Sequence, residues 1–171
     1  MRIIAIDPGT HTGWATSECA TAHGVEDISP RKPKAPTKRN PAGVSGEPDD
    51  ERWVKLWTLL DRLSGIDMAA HEAMQTLLCH EAPLSHHVGV RAAQLAFGAQ
   101  TALALWARNR GARRIEVTPL DLQRFVLGRR ATPKTYEMMA AAKERLGYQG
   151  NDHNIADALW LLEWAKIHAA K

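Results

Sequence analysis

Met1-Arg2-Ile3-Ile4-Ala5-Ile6-Asp7-Pro8-Gly9-Thr10 is the stretch from which the fold can be read. Residues 2–6 are an apolar run rich in β-branched side chains, stopped by a turn, which is the pattern of a buried strand. Asp7-Pro8-Gly9-Thr10 then reverses the chain, because proline presets its own φ and glycine tolerates conformations closed to other residues. Gly13-Trp14-Ala15-Thr16 reads as a second strand, and a third is expected near residues 23–28. The apolar run is too short, and meets a charge too soon, to be a signal peptide.

Beyond this meander the pattern breaks. Five of the nine prolines fall within residues 30–49, together with Arg31, Lys32, Lys34, Lys38 and Arg39, and no acid lies between Asp27 and Glu47. This reads as a basic, proline-rich loop inserted in the domain, or equally as a solvated linker without a specific task. A helix is expected from Asp49 or Asp50 to Gly65, with Trp53, Leu56, Trp57, Leu60 and Leu63 at helical spacing as core. Residues 67–75 look helical, and Thr76-Leu77-Leu78-Cys79-His80-Glu81 reads as a strand. Val88, Ala92, Leu95, Ala99, Ala102 and Trp106 mark one face of a long helix. Ile115–Thr118 reads as a strand, residues 119–127 and 133–146 as helices, and a last helix runs from near Asp152 to about Ala169. Strands first, then alternating helix and strand, predict an α/β domain with a mixed central sheet flanked by helices.

The chain of 171 residues suits one domain, residues 1–171, and 44% apolar content supplies a core. A net charge of +3 and a pI near 9.0 are compatible with nucleic acid. Cys19 and Cys79 have no paired spacing, so neither a disulfide framework nor structural zinc is expected, and a reducing, cytoplasmic setting fits. No apolar run is long enough for a membrane span.

The candidate chemistry lies in carboxylates at the edges of apolar elements. Asp7 ends the first strand, where a carboxylate is unfavourable unless it meets a cation or a donor; it would otherwise cap its own turn. Glu81 ends a second apolar strand before Ala82-Pro83, and neighbouring strand ends lie roughly 5 Å apart. Glu72, in a segment of helical character, is the rival. Asp157 sits in the apolar run Ile155-Ala156-Asp157-Ala158-Leu159-Trp160, where burial calls for a partner or a metal. Asn154 shares its helix face, and Asp152 precedes both; either completes the site, or Asp152 only caps the helix. Oxygen donors without cysteine suit Mg²⁺ or Mn²⁺, and a pair of ions roughly 3.5–4 Å apart is the usual arrangement for phosphoryl transfer. The eight histidines show no HExxH or paired Cys/His spacing that would favour zinc.

These residues carry a family resemblance. Ile4-Ala5-Ile6-Asp7-Pro8-Gly9-Thr10 with Gly13-Trp14-Ala15 resembles the opening of the RuvC-type Holliday-junction resolvases. His80-Glu81-Ala82-Pro83, and the later helix with Gly98, resembles the family's second acidic motif. Val117-Thr118-Pro119, Val126-Leu127-Gly128 and Lys134 resemble the segment before the last acids, and Asp152-His153-Asn154-Ile155-Ala156-Asp157-Ala158-Leu159 the closing motif, especially of phage-type members. The resemblance implies a ribonuclease-H-like fold, Mg²⁺-dependent cleavage of branched DNA, and Asp7, Glu81 and Asp157 as catalytic metal ligands. The family usually carries an acid or histidine where this chain has Asn154, which leaves the fourth ligand between Asp152 and Asn154. Lys134, at a helix start, and Arg129 and Arg130 are expected to contact DNA, although a lysine there is also ordinary surface. A homodimer would match the two-fold symmetry of a four-way junction, with the helix at residues 88–108 as the candidate surface. The alternatives are a related nuclease on other branched DNA or RNA, a catalytically dead DNA-binding module, and a nucleotide-binding protein of the actin and sugar-kinase type. The last needs the strand–turn unit twice.

Overall fold

The computed structural model describes residues 1–17, 22–30, 32, 50–65, 76–83, 90–128 and 135–169. Its strands are β1 (Arg2–Asp7), β2 (His11–Thr16), β3 (His23–Asp27), β4 (Thr76–Glu81) and β5 (Arg113–Val117). Its helices, among the described residues, are α1 (Glu51–Ser64), α2 (Val90–Arg110), α3 (Pro119–Leu127), α4 (Thr135–Leu146) and α5 (His153–His168). The basic loop (apart from residues 30 and 32), the expected helical piece at 67–75 with Glu72, and Arg129, Arg130 and Lys134 lie outside the described residues.

The strands form one sheet in the order β3-β2-β1-β4-β5. The meander β1–β2–β3 is antiparallel, and β1–β4 and β4–β5 are parallel, so the sheet is mixed as expected. Strand alternation decides which side chain meets which helix layer. Ile3 and Ala5 of β1, with Leu77 and Cys79 of β4, pack against α3, α4 and α5. Ile4, Ile6 and Leu78 pack on the other face against α1 and α2. By the same alternation Asp7 and Glu81 fall on the α5 side, and His80 falls towards α2.

The connections follow local chemistry. Gly65, at φ 60, and Gly128, at φ 67, end α1 and α3 in the left-handed region that favours glycine. Thr118, expected as the last residue of a strand, is instead the N-cap of α3: its hydroxyl accepts from Asp121 N, and Pro119 takes the first turn, where no N–H is needed. Asp50 precedes α1 without a side-chain cap bond. Of the expected stripe, Val88 lies outside the described residues, and within α2 only the second half is buried, where Ala99, Ala102, Leu103, Trp106 and Ala107 form the core face; Ala92 is exposed and Leu95 half-buried. Trp53 and Trp57, expected as core, are half-buried because they sit at the edge of the α1–α2 contact. That contact is pinned by Asp61, whose carboxylate accepts from Trp106 Nε1 at 2.8 Å and from Arg110 Nε and Nη2 at 3.0 and 2.7 Å. A paired, charge-assisted fork of this kind is both stronger and more directional than a single bond. No helix of the described residues is long and apolar enough to cross a membrane.

Candidate active site

The parallel register pairs Ile6 with His80, so Asp7 and Glu81 follow at the next step of adjacent strands, on the same face. Glu81 is in turn paired with Val117 of β5. The turn after Asp7 is fixed by the buried Thr12, whose hydroxyl donates to Gly9 O at 2.8 Å, and by Ile28 N, which donates to Thr10 O at 3.1 Å.

The third acid arrives from across the sheet. Asp7 pairs with Gly13 of β2, and the first turn of α5 lies directly on Gly13. A methyl group there would overlap the Asn154 carbonyl, so only glycine lets α5 approach closely enough to bring Asp157 to β1. Gly13→Ala is therefore expected to lower stability by about 1–3 kcal/mol, the usual range for overpacking, or roughly 2–12 °C in melting temperature, and to cut activity by pushing α5 away. A variant with wild-type melting and activity would show that α5 is not held by this contact.

The electrostatics of the three acids are linked, most of all at Asp7. Asp7, Glu81 and Asp157 are half-buried residues. Burial, then the charges of Glu81, Asp157 and Asp152, hold the Asp7 carboxyl well above the usual carboxylate range. Burial and the Asp157 charge push Glu81 up to about 7. Burial raises Asp157 to about 6, with His153 partly offsetting it. Among the described residues no group of three or more His, Cys, Asp and Glu side chains is placed closely enough to hold a metal ion.

Asp152 is the N-cap of α5. Its Oδ1 accepts from Asn154 N at 2.9 Å and from Asn154 Nδ2 at 3.0 Å. It caps the helix, as one of the two readings had it, and its charge also acts on Asp7. Tyr148, which sequence reasoning missed, clamps this corner: its hydroxyl is 3.1 Å from both the Asp152 N–H, from which it accepts, and the Asp152 carbonyl, to which it donates. The isolated Gly13 inside a strand pattern was a signal of close approach; Tyr148, in a loop, carried none.

Asp7, Glu81, Pro8 and Pro83 line a cavity of about 160 Å³ together with Ala96 and Gln100 of α2. Cys79, just behind Glu81, is buried in the core with its Sγ 3.6 Å from Leu161 O, and burial pushes its thiol up to about 12, which leaves it inert.

The donors at this site are hard oxygens with raised proton affinity and unrelieved mutual repulsion. That set fits a divalent ion such as Mg²⁺ or Mn²⁺, which would relieve the repulsion and take the place of the protons. Glu81 stands beside Asp7, whereas Glu72 is outside the described residues. Glu81→Gln is expected to abolish metal-dependent activity and Glu72→Gln to leave it near wild type; loss in the second variant alone would reverse the assignment.

No protein-family model matches the chain, and no curated protein matches it. Among solved structures it is similar to Thermus thermophilus RuvC, with a TM-score of 0.63 and 19% identity, covering 99% of this chain and 96% of that one. It is also similar to T. thermophilus RuvC in complex with a Holliday-junction substrate, with a TM-score of 0.67 and 15% identity, covering 99% and 95%. The likeness spans nearly the whole chain and establishes the RuvC-type, ribonuclease-H-like fold.

Proposed function

We propose that this chain is a structure-selective DNA endonuclease that resolves four-way junctions by metal-dependent hydrolysis of a phosphodiester. The observation that carries the reading is the meeting of Asp7, Glu81 and Asp157, from two strand ends and a helix, in one electrostatic neighbourhood on a RuvC-type fold.

Asp7, Glu81 and Asp157 would hold Mg²⁺ or Mn²⁺, two ions per site. When bound, such ions supply an activated water and stabilise the leaving oxygen. Asp7 is the central carboxylate, since it feels each of the other acids. We assign the fourth negative charge to Asp152 and an orienting role to Asn154, whose amide already donates to the Asp152 carboxylate. DNA contact falls to Lys134, Arg129 and Arg130, through phosphate charge that carries affinity rather than sequence choice. The DNA substrate and the free, buried Cys79 support work in the cytoplasm of a bacterial or phage-infected cell.

The functional unit on a junction is a homodimer, one active site per strand to be cut. An apolar groove of about 510 Å³ between α1 and α2, lined by Trp53, Trp57, Gly98 and Leu105 among others, is the surface offered for it. Val54, which lines it, and Phe97, next in the chain to Gly98, are 57% and 61% exposed. Exposed apolar surface of this kind marks contact sites. Sedimentation at micromolar concentration is expected to give twice the chain mass. A single 18.9 kDa species, both alone and on junction DNA, would rule the dimer out.

The reading as a whole is tested by incubating the protein with a labelled four-way junction, a flap, a plain duplex and an RNA–DNA hybrid, with and without Mg²⁺. Paired nicks in the junction, only with the ion, are expected. Preference for the flap or the hybrid would move the assignment to a related nuclease, and no cleavage of any of them would refute it.

A further inference from the structure

Gln100 lies on the face of α2 that meets the ends of β1 and β4, and it lines the cavity it shares with Asp7 and Glu81. Its Nε2 donates to the Glu81 carbonyl at 2.9 Å and stands 3.3 Å from His80 Nδ1. A carbonyl only accepts, so this contact fixes which end of the amide faces the strand. The other end is unfavourable: Oε1 is buried and, among the described residues, has no partner. A buried, unpaired amide oxygen weakens a fold, and an apolar side chain of the same length would avoid it. The amide is therefore explained by what its nitrogen does.

The nitrogen acts on the last peptide of β4. On one side the strand end is tied to β5, where Ala82 N donates to Val117 O at 2.8 Å. The Glu81 carbonyl is met from the other side by Gln100 Nε2 at 2.9 Å, the shorter contact, and by His80 Nδ1 at 3.1 Å. Rotation of the peptide between Glu81 and Ala82 would change the backbone from which the Glu81 side chain departs; the β5 bond opposes it on one side, and Gln100, from a separate helix, opposes it on the other together with the neighbouring His80. A carboxylate that must share an ion with Asp7 gains from such a fixed base, because ligand direction is set by the shell behind the ligand.

We propose that Gln100 is a positioning residue that locks the end of β4 and so aims the Glu81 carboxylate towards Asp7 and the ion they would share. It rests on the reading of this site as a divalent-metal nuclease centre.

The test is Gln100→Met, read by kcat and KM on the four-way junction, by metal-free melting temperature, and by the Mn²⁺ concentration that gives half of the thermal stabilisation. The expected result is a fall in kcat and a rise in the Mn²⁺ midpoint, each of about tenfold or more, the usual effect of removing a group behind a metal ligand. KM should be unchanged, and metal-free melting unchanged or raised, since an unpaired oxygen is removed. A Mn²⁺ midpoint at the wild-type value would overturn the proposal, whatever happens to melting. If Gln100→Met does not fold, Gln100→Leu is read in the same way. Failure of both to fold would also overturn it, because Gln100 would then serve the fold itself. A wild-type chain that binds Mn²⁺ but cuts no branched DNA would refute the nuclease reading, while the Mn²⁺ midpoint would still decide the role of Gln100.

Discussion

Asp7→Asn is expected to lower cleavage of a four-way junction by at least ~10²–10³-fold, the usual loss when a group stabilising transition-state charge is removed. The side chain keeps its shape and loses the charge common to the whole site, since Asp7 feels Glu81, Asp157 and Asp152. Junction affinity should change little, because it rests on cationic contacts to phosphate. Metal-free stability should hold or rise. Asp7 as a carboxylate is penalised by burial and by its acidic neighbours, and a neutral amide escapes both. Lower activity with equal or higher stability separates a functional acid from a structural one. Asp157→Asn should behave in the same way. Single-turnover cleavage, a binding titration without metal, and thermal melting measure the three quantities. Full cleavage by either variant would remove that residue from the site.

The parts of this site that lie on strands were legible because strand geometry is nearly one-dimensional. Asp7 and Glu81 each close an apolar run, and once the runs pair in parallel their side chains must share a face. The sheet order β3-β2-β1-β4-β5 was not legible, since pairing partners are chosen by tertiary packing. Asp157 was legible as a carboxylate in apolar surroundings, but its meeting with Asp7 depends on how α5 docks on Gly13, a contact between residues far apart in sequence. Thr118 fits a strand by composition, and the N-cap bond to Asp121 outweighs that preference. The spacing on α2 gave the right helix and only part of the right face: Leu103 and Ala107 complete a core face that Ala92 does not share. Gln100 was passed over because one polar residue on an amphipathic helix is ordinary. Its significance appears only with the Glu81 carbonyl beside it.

Saturating Mn²⁺ or Mg²⁺ is expected to raise the melting temperature, and to do so more at pH 8 than at pH 6. Burial, with the Asp157 charge, raises Glu81 from 4.5 to about 7, and burial raises Asp157 from 3.8 to about 6. An acid with a raised folded-state pKa weakens the fold in its charged form. That penalty is fully present above the folded value and fades as pH falls through it towards the unfolded value. Glu81 and Asp157 therefore penalise the metal-free fold most above about pH 7, and this is relieved by protons between about pH 7 and 4. A divalent ion relieves the same repulsion but must displace those protons when they are bound. His80 works in the other direction: burial lowers its pKa from 6.5, so its contribution weakens the fold as pH falls below that value. It does so with or without metal and largely cancels in the difference. A free ion concentration about 100 times Kd adds about 2.7 kcal/mol, which for a chain of this size is roughly 5–10 °C. The shift at pH 6 should be less than about half of that at pH 8, because protons then hold the same oxygens. Asp7→Asn should remove most of the shift at both pH values. Equal shifts at the two pH values would show that the ion binds away from these carboxylates, and a full shift in Asp7→Asn would show that Asp7 is not among its ligands.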